Sequence, residues 1–178
     1  MVARLDSMFV APNTYNYGTY GFVIHEIAEM VALNMGQYAH GNQPVQHAIY
    51  LYDYIGQPWK TQYHLRNVMD KLYNSGSKGY CGDEDNGQTS AWYAFSALGF
   101  YPVCPASDEY AVGSPLFKHA TIHLENGNDI VIEAPENSPE NRYVGSMTFD
   151  GEELEKSCLK YSELKMGAKI LFDMQAQK

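Results

Sequence analysis

The 178-residue chain carries 21 acidic against 12 basic side chains, giving a net charge of -9 and a pI near 5.0. A phosphate backbone needs clustered Lys and Arg, and no such cluster occurs, so nucleic acid is excluded as a partner. The length suits one ordinary domain or two small ones, and the apolar runs fall short of the roughly 20 residues that a membrane span requires.

No basic then apolar leader pattern opens the chain. The 15 tyrosines, with 2 Trp and 7 Phe, fit either a large aromatic core or a sugar site, where a flat ring is buried and a hydroxyl stays wet. Cys81, Cys104 and Cys158 have no metal-type spacing, and their odd number leaves one without an intramolecular disulfide partner.

The first predicted helix is "GFVIHEIAEMVALNMG", where Ile24, Ile27, Met30 or Val31, and Asn34 or Met35 keep helical spacing and Gly36 is placed as a stop. The second is "NQPVQHAIYLYDYIG", with Pro44 in a first turn, a face through Val45, Ala48, Leu51, Tyr52 and Ile55, and Gly56 as breaker. The third starts at Pro58 and runs through Trp59, Tyr63, Val68, Met69 and Leu72. The fourth is "EDNGQTSAWYAFSALGF", with Ala91, Ala94, Phe95 and Leu98 on one side. Short Gly and Pro punctuation between them implies antiparallel helical hairpins. Four such helices, carrying Tyr50, Tyr52, Trp59 and Trp92, ask for more partners than the chain supplies, and the chain reads as the C-terminal piece of something longer.

After "YPVCPAS" the apolar period drops to two. "ATIHLE" and "IVIEA" form a predicted hairpin, with Ile122 and Leu124 facing Ile130 and Ile132 across Asn126-Gly127. Further strands fit "RYVGSMTF", "EELEKSC" after an Asp150-Gly151 turn, "LKYSEL" and "KILFDM". The expected class is therefore α+β, a helical segment over 1–104 followed by an antiparallel β-domain over 105–178.

The densest chemistry lies in "GYCGDEDNGQTSAW", where Asp83, Glu84 and Asp85 stand at a helix mouth. Unpaired amides there favour acids by about 0.3 to 1 kcal/mol each, which explains one acid and not three mutually repelling ones. The surplus points to a carboxylate aimed at a cleft, as a general base requires. An EF-hand loop does not fit, because Gly87 stands where an oxygen ligand is needed. In "YAHGNQPVQH", His40, Asn42, Gln43 and His47 combine amides and imidazoles suited to sugar hydroxyls or to calcium. The bland reading is a helix capped by Asn42. Trp59 and Lys60 of "GQPWKTQ" fit a sugar platform, or equally a hydrophobic staple beside a solvated lysine. G-x-S-x-G, H-E-x-x-H, P-loop and Cys-x-x-Cys motifs do not occur.

Taken together, "GQYAHGNQPVQHAIYLYDYIGQPWKTQ", "CGDEDNGQTSAWYAFSALGFYPVCPAS" and "YAVGSPLF" resemble the C-terminal region of the glycoside hydrolase family 92 α-mannosidases, in order and in spacing, over nearly the whole chain. The resemblance implies a calcium-dependent, exo-acting, inverting enzyme with an N-terminal β-sandwich and an (α/α)6 barrel, of which the four helices are the last part. It carries the general base to Asp85, with Asp83 as supporting carboxylate and Glu84 ranked behind them, among the substrate contacts. His47, Trp59 and Lys60 join Glu84 as substrate-binding residues, and Asn42 and Gln43 fall to calcium. Gln43 departs from the family pattern, which reads Gly-Asn-Glu-Pro at this place, so the amide removes a charge.

The family's general acid lies in a Glu-Gly-x-x-Trp block that this chain does not contain, and the isolated polypeptide is expected to be inactive. Expected partners are α-mannose-containing glycans and the upstream part of the same enzyme, and the expected location of the whole enzyme is periplasmic, cell-surface or secreted. The alternative is a non-catalytic mannose-binding or structural homologue. A barrel hydrolase acting on another sugar stands third.

Overall fold

The computed structural model describes residues 1–155 and 157–178. Helix α1 (Val2–Val10), which the apolar pattern does not foretell, opens the chain and is followed by a single 3-10 turn, Gly18–Tyr20, and α2 (His25–Leu33). α2 stops at Asn34, in the left-handed conformation at φ 49, two residues before the glycine expected to end it. Gly36 serves another purpose: a Cβ there would come within 2.5 Å of Phe9 carbonyl carbon, so its bare backbone lets α1 approach.

The second predicted helix, Gln43–Ile55, is a 3-10 helix instead of an α-helix. Its period of three stacks Gln46, Ile49 and Tyr52 on one buried edge, so the observed face differs from the expected one. α3 (Pro58–Leu72) starts at its proline and buries Leu65, Val68, Met69 and Leu72, whereas Tyr63 faces outward. α4 (Gln88–Leu98) turns Thr89, Trp92, Ser96 and Ala97 inward. Ala91 and Ala94 are exposed, so the face expected from Ala91, Ala94, Phe95 and Leu98 is rotated: the indole of Trp92 outweighs two methyl groups in apolar area.

Strands β1 (Phe100–Tyr101), β2 (Glu109–Val112) and β7 (Cys158–Lys160) form one antiparallel sheet, which joins residues on both sides of position 104. The second sheet runs in the order β3 (His119–His123), β4 (Asp129–Glu133), β8 (Ala168–Gln175), β5 (Tyr143–Phe149), β6 (Glu152–Glu153). The expectation of a purely antiparallel domain fails here, because β4 and β8 pair in parallel. The intervening β5–β7 and a short helix, α5 (Tyr161–Leu164), form the crossover that such a pair requires.

In the β3–β4 hairpin Ile122 faces Ile130 as expected, while Ala120 takes the place opposite Ile132 that Leu124 was assigned. "LKYSEL" is a strand only to Lys160 and then becomes α5. Of "EELEKSC" only Glu152–Glu153 is strand before β7, and Lys156 lies outside the described residues.

Two hydrophobic clusters result. One packs Tyr38, Ile49, Tyr50, Leu65, Val68 and Trp92 between the helices. The other packs Ile130, Ile132, Met147, Ile170 and Phe172 beneath the larger sheet. They are joined through α3: Gln62 Oε1 accepts the Val144 amide at 3.1 Å, and buried Arg66 donates to Pro115 O and Asn137 Oδ1 at 3.0 and 2.7 Å. No helix among the described residues is long and apolar enough to cross a membrane.

Candidate active site

The three adjacent acids divide into different tasks. Glu84 is the helix cap: its carboxylate accepts the backbone N–H groups of Gly87 and Ser90, which α4 leaves without partners. Hydrogen bonding from Ser90, and then from Gly87, holds its pKa below the ordinary value. Asp83 and Asp85 are thereby released from capping, and both side chains are exposed. Asp85, Asn86 and Gly87 follow one another with φ of 50, 55 and 99. Successive left-handed residues turn the chain sharply before α4, a conformation that Asp and Asn tolerate better than most side chains do.

The backbone beneath Asp83 is pinned. Its carbonyl accepts Gln43 Nε2 at 2.6 Å and Thr89 Oγ1 at 2.9 Å. Thr89, fully buried, also accepts from Gln43 Nε2 and Gln46 Nε2 at 3.1 and 3.4 Å. One threonine hydroxyl thus binds the loop of Asp83 to the start of the 3-10 helix. The two loops touch elsewhere through glycines: a Cβ on Gly82 would come within 2.5 Å of Gly41 Cα, so no other residue fits the crossing.

Residues of α2, outside the motifs singled out in the sequence, also line the site. His25 Nε2 lies 3.4 Å from Asp83 Oδ2, and its Nδ1 lies 3.5 Å from Glu26. Glu29 stands against Gly41, and burial raises its pKa, with Asp83 adding to the shift. His25 and Glu29 are four apart on α2, a spacing that puts both on one helical face, and this pattern was available in the sequence. Beside them a hollow of about 690 Å³ runs between α2 and residues 77–82, lined by Glu29, Leu33, Lys78 and Tyr80.

Other anticipated residues lie elsewhere. His40 is a core residue, fully buried, between the hydroxyls of Tyr38 and Tyr73 at 2.8 and 2.7 Å, with its ring edge-on to Trp92. Burial pushes its pKa down to about 3, so it is a neutral strut and not a surface ligand. His47 is exposed on the 3-10 helix. Lys60 is held by Asp6, both carboxylate oxygens lying 2.6 Å from Nζ. Trp59 donates to Gln57 Oε1 at 3.2 Å and has Lys178 Nζ 3.7 Å from its ring centre. Trp59 and Lys60 therefore belong to a contact set with α1 and Lys178, apart from the set that joins Gln43, Asp83 and Thr89.

Hard cations such as calcium take oxygen ligands, including neutral amide carbonyls. Gln43 commits its amide nitrogen to Asp83 and Thr89, and its Oε1 has no hydrogen bond among the described residues. Gln46 Oε1, deeply buried, likewise has none. Amide oxygens with free acceptor capacity, next to the loop of Asp83, are chemically suited to such a cation. No group of three or more His, Cys, Asp and Glu side chains among the described residues is arranged as a metal site.

Residues 1–176 match the glycosyl hydrolase family 92 catalytic domain. The chain is 72% identical to the family GH92 inverting mannosidase of Bacteroides thetaiotaomicron, whose solved structure superposes with a TM-score of 0.81 over 99% of this chain and 24% of that one. A GH92 α-mannosidase of the same organism, solved in complex with mannoimidazole, is 35% identical with a TM-score of 0.87, covering 99% of this chain and 22% of the other. An uncharacterized secreted glycosidase of Arthroderma benhamiae is 25% identical over 150 residues, which are 74% of this chain and 19% of that protein. The chain thus spans about a quarter or less of the length of these relatives.

Proposed function

The chain belongs to glycosyl hydrolase family 92, and from that membership we propose that it supplies the base side of an inverting α-mannosidase site that removes terminal α-mannose from glycans. The observation that carries the reading is the division among the three acids. Glu84 satisfies the start of α4, which leaves Asp83 and Asp85 as carboxylates that the helix does not need.

Inversion requires a carboxylate that activates water on one face of the sugar ring and a carboxylic acid on the other, roughly 6.5 to 9.5 Å away. We assign the base to Asp85, displayed on its left-handed turn, and give Asp83 the supporting role, its backbone fixed by Gln43 and Thr89. The matching acid belongs to another part of the catalytic domain, since the sequence holds no Glu-Gly-x-x-Trp block, and the chain alone is expected to give no turnover. Asn42 and Gln43 would hold calcium, which when bound supplies a hard centre for two mannose hydroxyls. The surrounding helices are assigned to the wall of an (α/α)6 barrel. A secreted fungal relative supports action outside the cytoplasm.

A second reading, a homologue that binds mannose without cleaving it, is favoured by one observation. Gln43 uses its N–H donor to hold the Asp83 loop, a task that a carboxylate cannot perform.

The test joins this chain to the remaining portion of the 72% identical relative and assays an aryl α-mannoside, with calcium and with chelator. Asp85→Asn is expected to lower kcat by roughly 10²–10⁴-fold with the fold intact. Full activity in that variant would remove Asp85 from the base role. Saturable heat on mannose titration without any turnover would favour the second reading.

A further inference from the structure

The chain holds 15 tyrosines, and the structure divides them between two duties. Tyr38, Tyr50 and Tyr52 are fully buried core residues. Tyr73, Tyr80 and Tyr93 instead line a hollow of about 350 Å³, together with Asn74, Ser75 and Ser90, where the end of α3 and residues 74–80 meet the first turn of α4.

The chemistry of this hollow is uniform. Every lining side chain is uncharged and carries a hydroxyl or an amide, in a chain of which 19% is charged. The hollow beside α2, by contrast, is lined by Glu29 and Lys78. Neutral rings, hydroxyls and one amide match a neutral polyol such as a sugar, whose C–H face packs on an aromatic ring while its hydroxyls bond at the rim. They offer no opposite charge to a phosphate, a carboxylate or a cation.

The rings are fixed before any ligand arrives. Asn74 N–H donates to Gly79 O at 2.8 Å, so Tyr73 and Tyr80 stand at the two feet of one closed loop. The Asn74 side chain tightens it, accepting Gly76 N–H at 2.8 Å and donating to Lys78 O at 3.2 Å. Tyr73 is locked from behind, its hydroxyl 2.7 Å from His40 Nε2 and its ring stacked on Trp92 and Tyr93, with centroids 5.9 and 4.7 Å away. The hydroxyls of Ser75, Tyr80 and Tyr93 make no hydrogen bond among the described residues, and are open to a ligand or to water. The hollow also adjoins the loop of the acids: Ser90, in its wall, donates its backbone N–H to Glu84 Oε1 at 3.3 Å.

We propose that this tyrosine-lined hollow binds a second mannosyl residue of the glycan, one that is not cleaved. The identity of the sugar rests on the mannosidase reading, whereas the site rests on the hollow itself.

The test labels the 178-residue chain with 3-fluorotyrosine and follows its fluorine resonances during titration with a thio-linked α-mannotriose, which resists hydrolysis. The resonances of Tyr80 and Tyr93, identified by Tyr80→Phe and Tyr93→Phe, are expected to shift saturably, while that of Tyr161, 51% exposed on α5, stays in place. Tyr80→Ala, at a 37% exposed position, is expected to weaken binding by roughly fivefold or more, and maltotriose is expected to bind the unaltered chain more weakly by a similar factor.

The titration is repeated on the chain joined to the remaining portion of the 72% identical relative, and this form decides the matter if the chain alone gives no dispersed spectrum. Unmoved Tyr80 and Tyr93 resonances overturn the proposal. So do shifts in the chain alone that vanish in the joined form, where the rest of the domain would then fill the hollow, and so does equal affinity for maltotriose. Turnover of an aryl α-mannoside by the joined form separates the two readings. Shifts without turnover defeat the catalytic reading alone, and turnover with unmoved resonances defeats the second sugar site alone.

Discussion

The helical core and the sheet core differ in what they bury. The helical one is aromatic and hydrogen-bonded: Tyr38, His40 and Tyr73 form a relay, Tyr50 OH meets Ser96 Oγ at 2.8 Å, and Trp92 Nε1 donates to Gln46 O at 3.3 Å. The sheet core is mainly aliphatic, with Ile130, Ile132, Met147, Ile170 and Met174 around two phenylalanines. Polar handles on large rings fix orientation as well as area, since each ring must satisfy its hydroxyl or N–H. That rigidity lies beneath the loops bearing Asn42 and Asp83. The aliphatic core, by contrast, props the helices from behind and responds to volume alone.

The largest expected effect tests this contrast through paired truncations. Trp92→Ala and Phe172→Ala each remove a fully buried ring and are expected to cost about 3–5 kcal/mol by urea unfolding. They should part company in their pH dependence. The cost of Phe172→Ala is expected to be the same at pH 5 and pH 7, because its surroundings do not titrate. Trp92→Ala lets water reach His40, which raises the depressed pKa and flattens the acid limb of the stability curve. Identical pH profiles for the two variants would break the contrast.

Next in size are two titrations of the helical region with opposite signs. His40 has a folded pKa of about 3, below the ordinary 6.5, so its contribution is complete above 6.5 and is lost as pH falls. By pH 4 the loss is about 3 kcal/mol. Asp53, on the 3-10 helix, is the reverse case. Among the described residues neither of its carboxylate oxygens has a hydrogen bond of good geometry, Thr61 donating its hydroxyl to Ile49 O at 3.2 Å, and burial, opposed in part by the nearby Thr61 hydroxyl, raises its pKa to about 8. Its contribution is complete below 3.8 and is lost as pH rises through 8. Asp53→Asn is therefore expected to stabilise the chain at pH 8 by about 2–4 kcal/mol and to remove the alkaline slope. Unfolding midpoints at pH 4, 6 and 8 check both signs.

The same contrast explains what was legible in the sequence. α3 announced its start by Pro58 and its inner face by Val68, Met69 and Leu72, because local chemistry and packing agreed there. Gln43–Ile55 read as an α-helix because i, i+3 and i, i+4 spacings overlap, and only the stacking of Gln46, Ile49 and Tyr52 separates the two periods. β4 and β8 are 35 residues or more apart in the chain, so their parallel pairing left no local trace. At the site, the surplus of acids was visible, but which of them caps α4 depends on the left-handed turn over Asp85 and Asn86. His40 misled because a surface histidine and a core one look alike in a loop of amides.

The smallest expected effect concerns the joint between the helical core and the Asp83 loop. Thr89 is the single hydroxyl that donates to Asp83 O and accepts from both Gln43 and Gln46. Thr89→Val keeps the shape and removes the hydroxyl, so Asp83 O, Gln43 Nε2 and Gln46 Nε2 each lose one hydrogen bond and keep another, at a cost of about 1–2 kcal/mol. Thr89→Ser restores the hydroxyl and should recover most of it. If Thr89 only stabilises the fold, activity in the assembled enzyme will follow the folded fraction. If it positions Asp83, kcat will fall further than folding accounts for while KM changes little, and Thr89→Ser will rescue it. A kcat that tracks stability alone would place the rigidity of the helical core outside the chemistry.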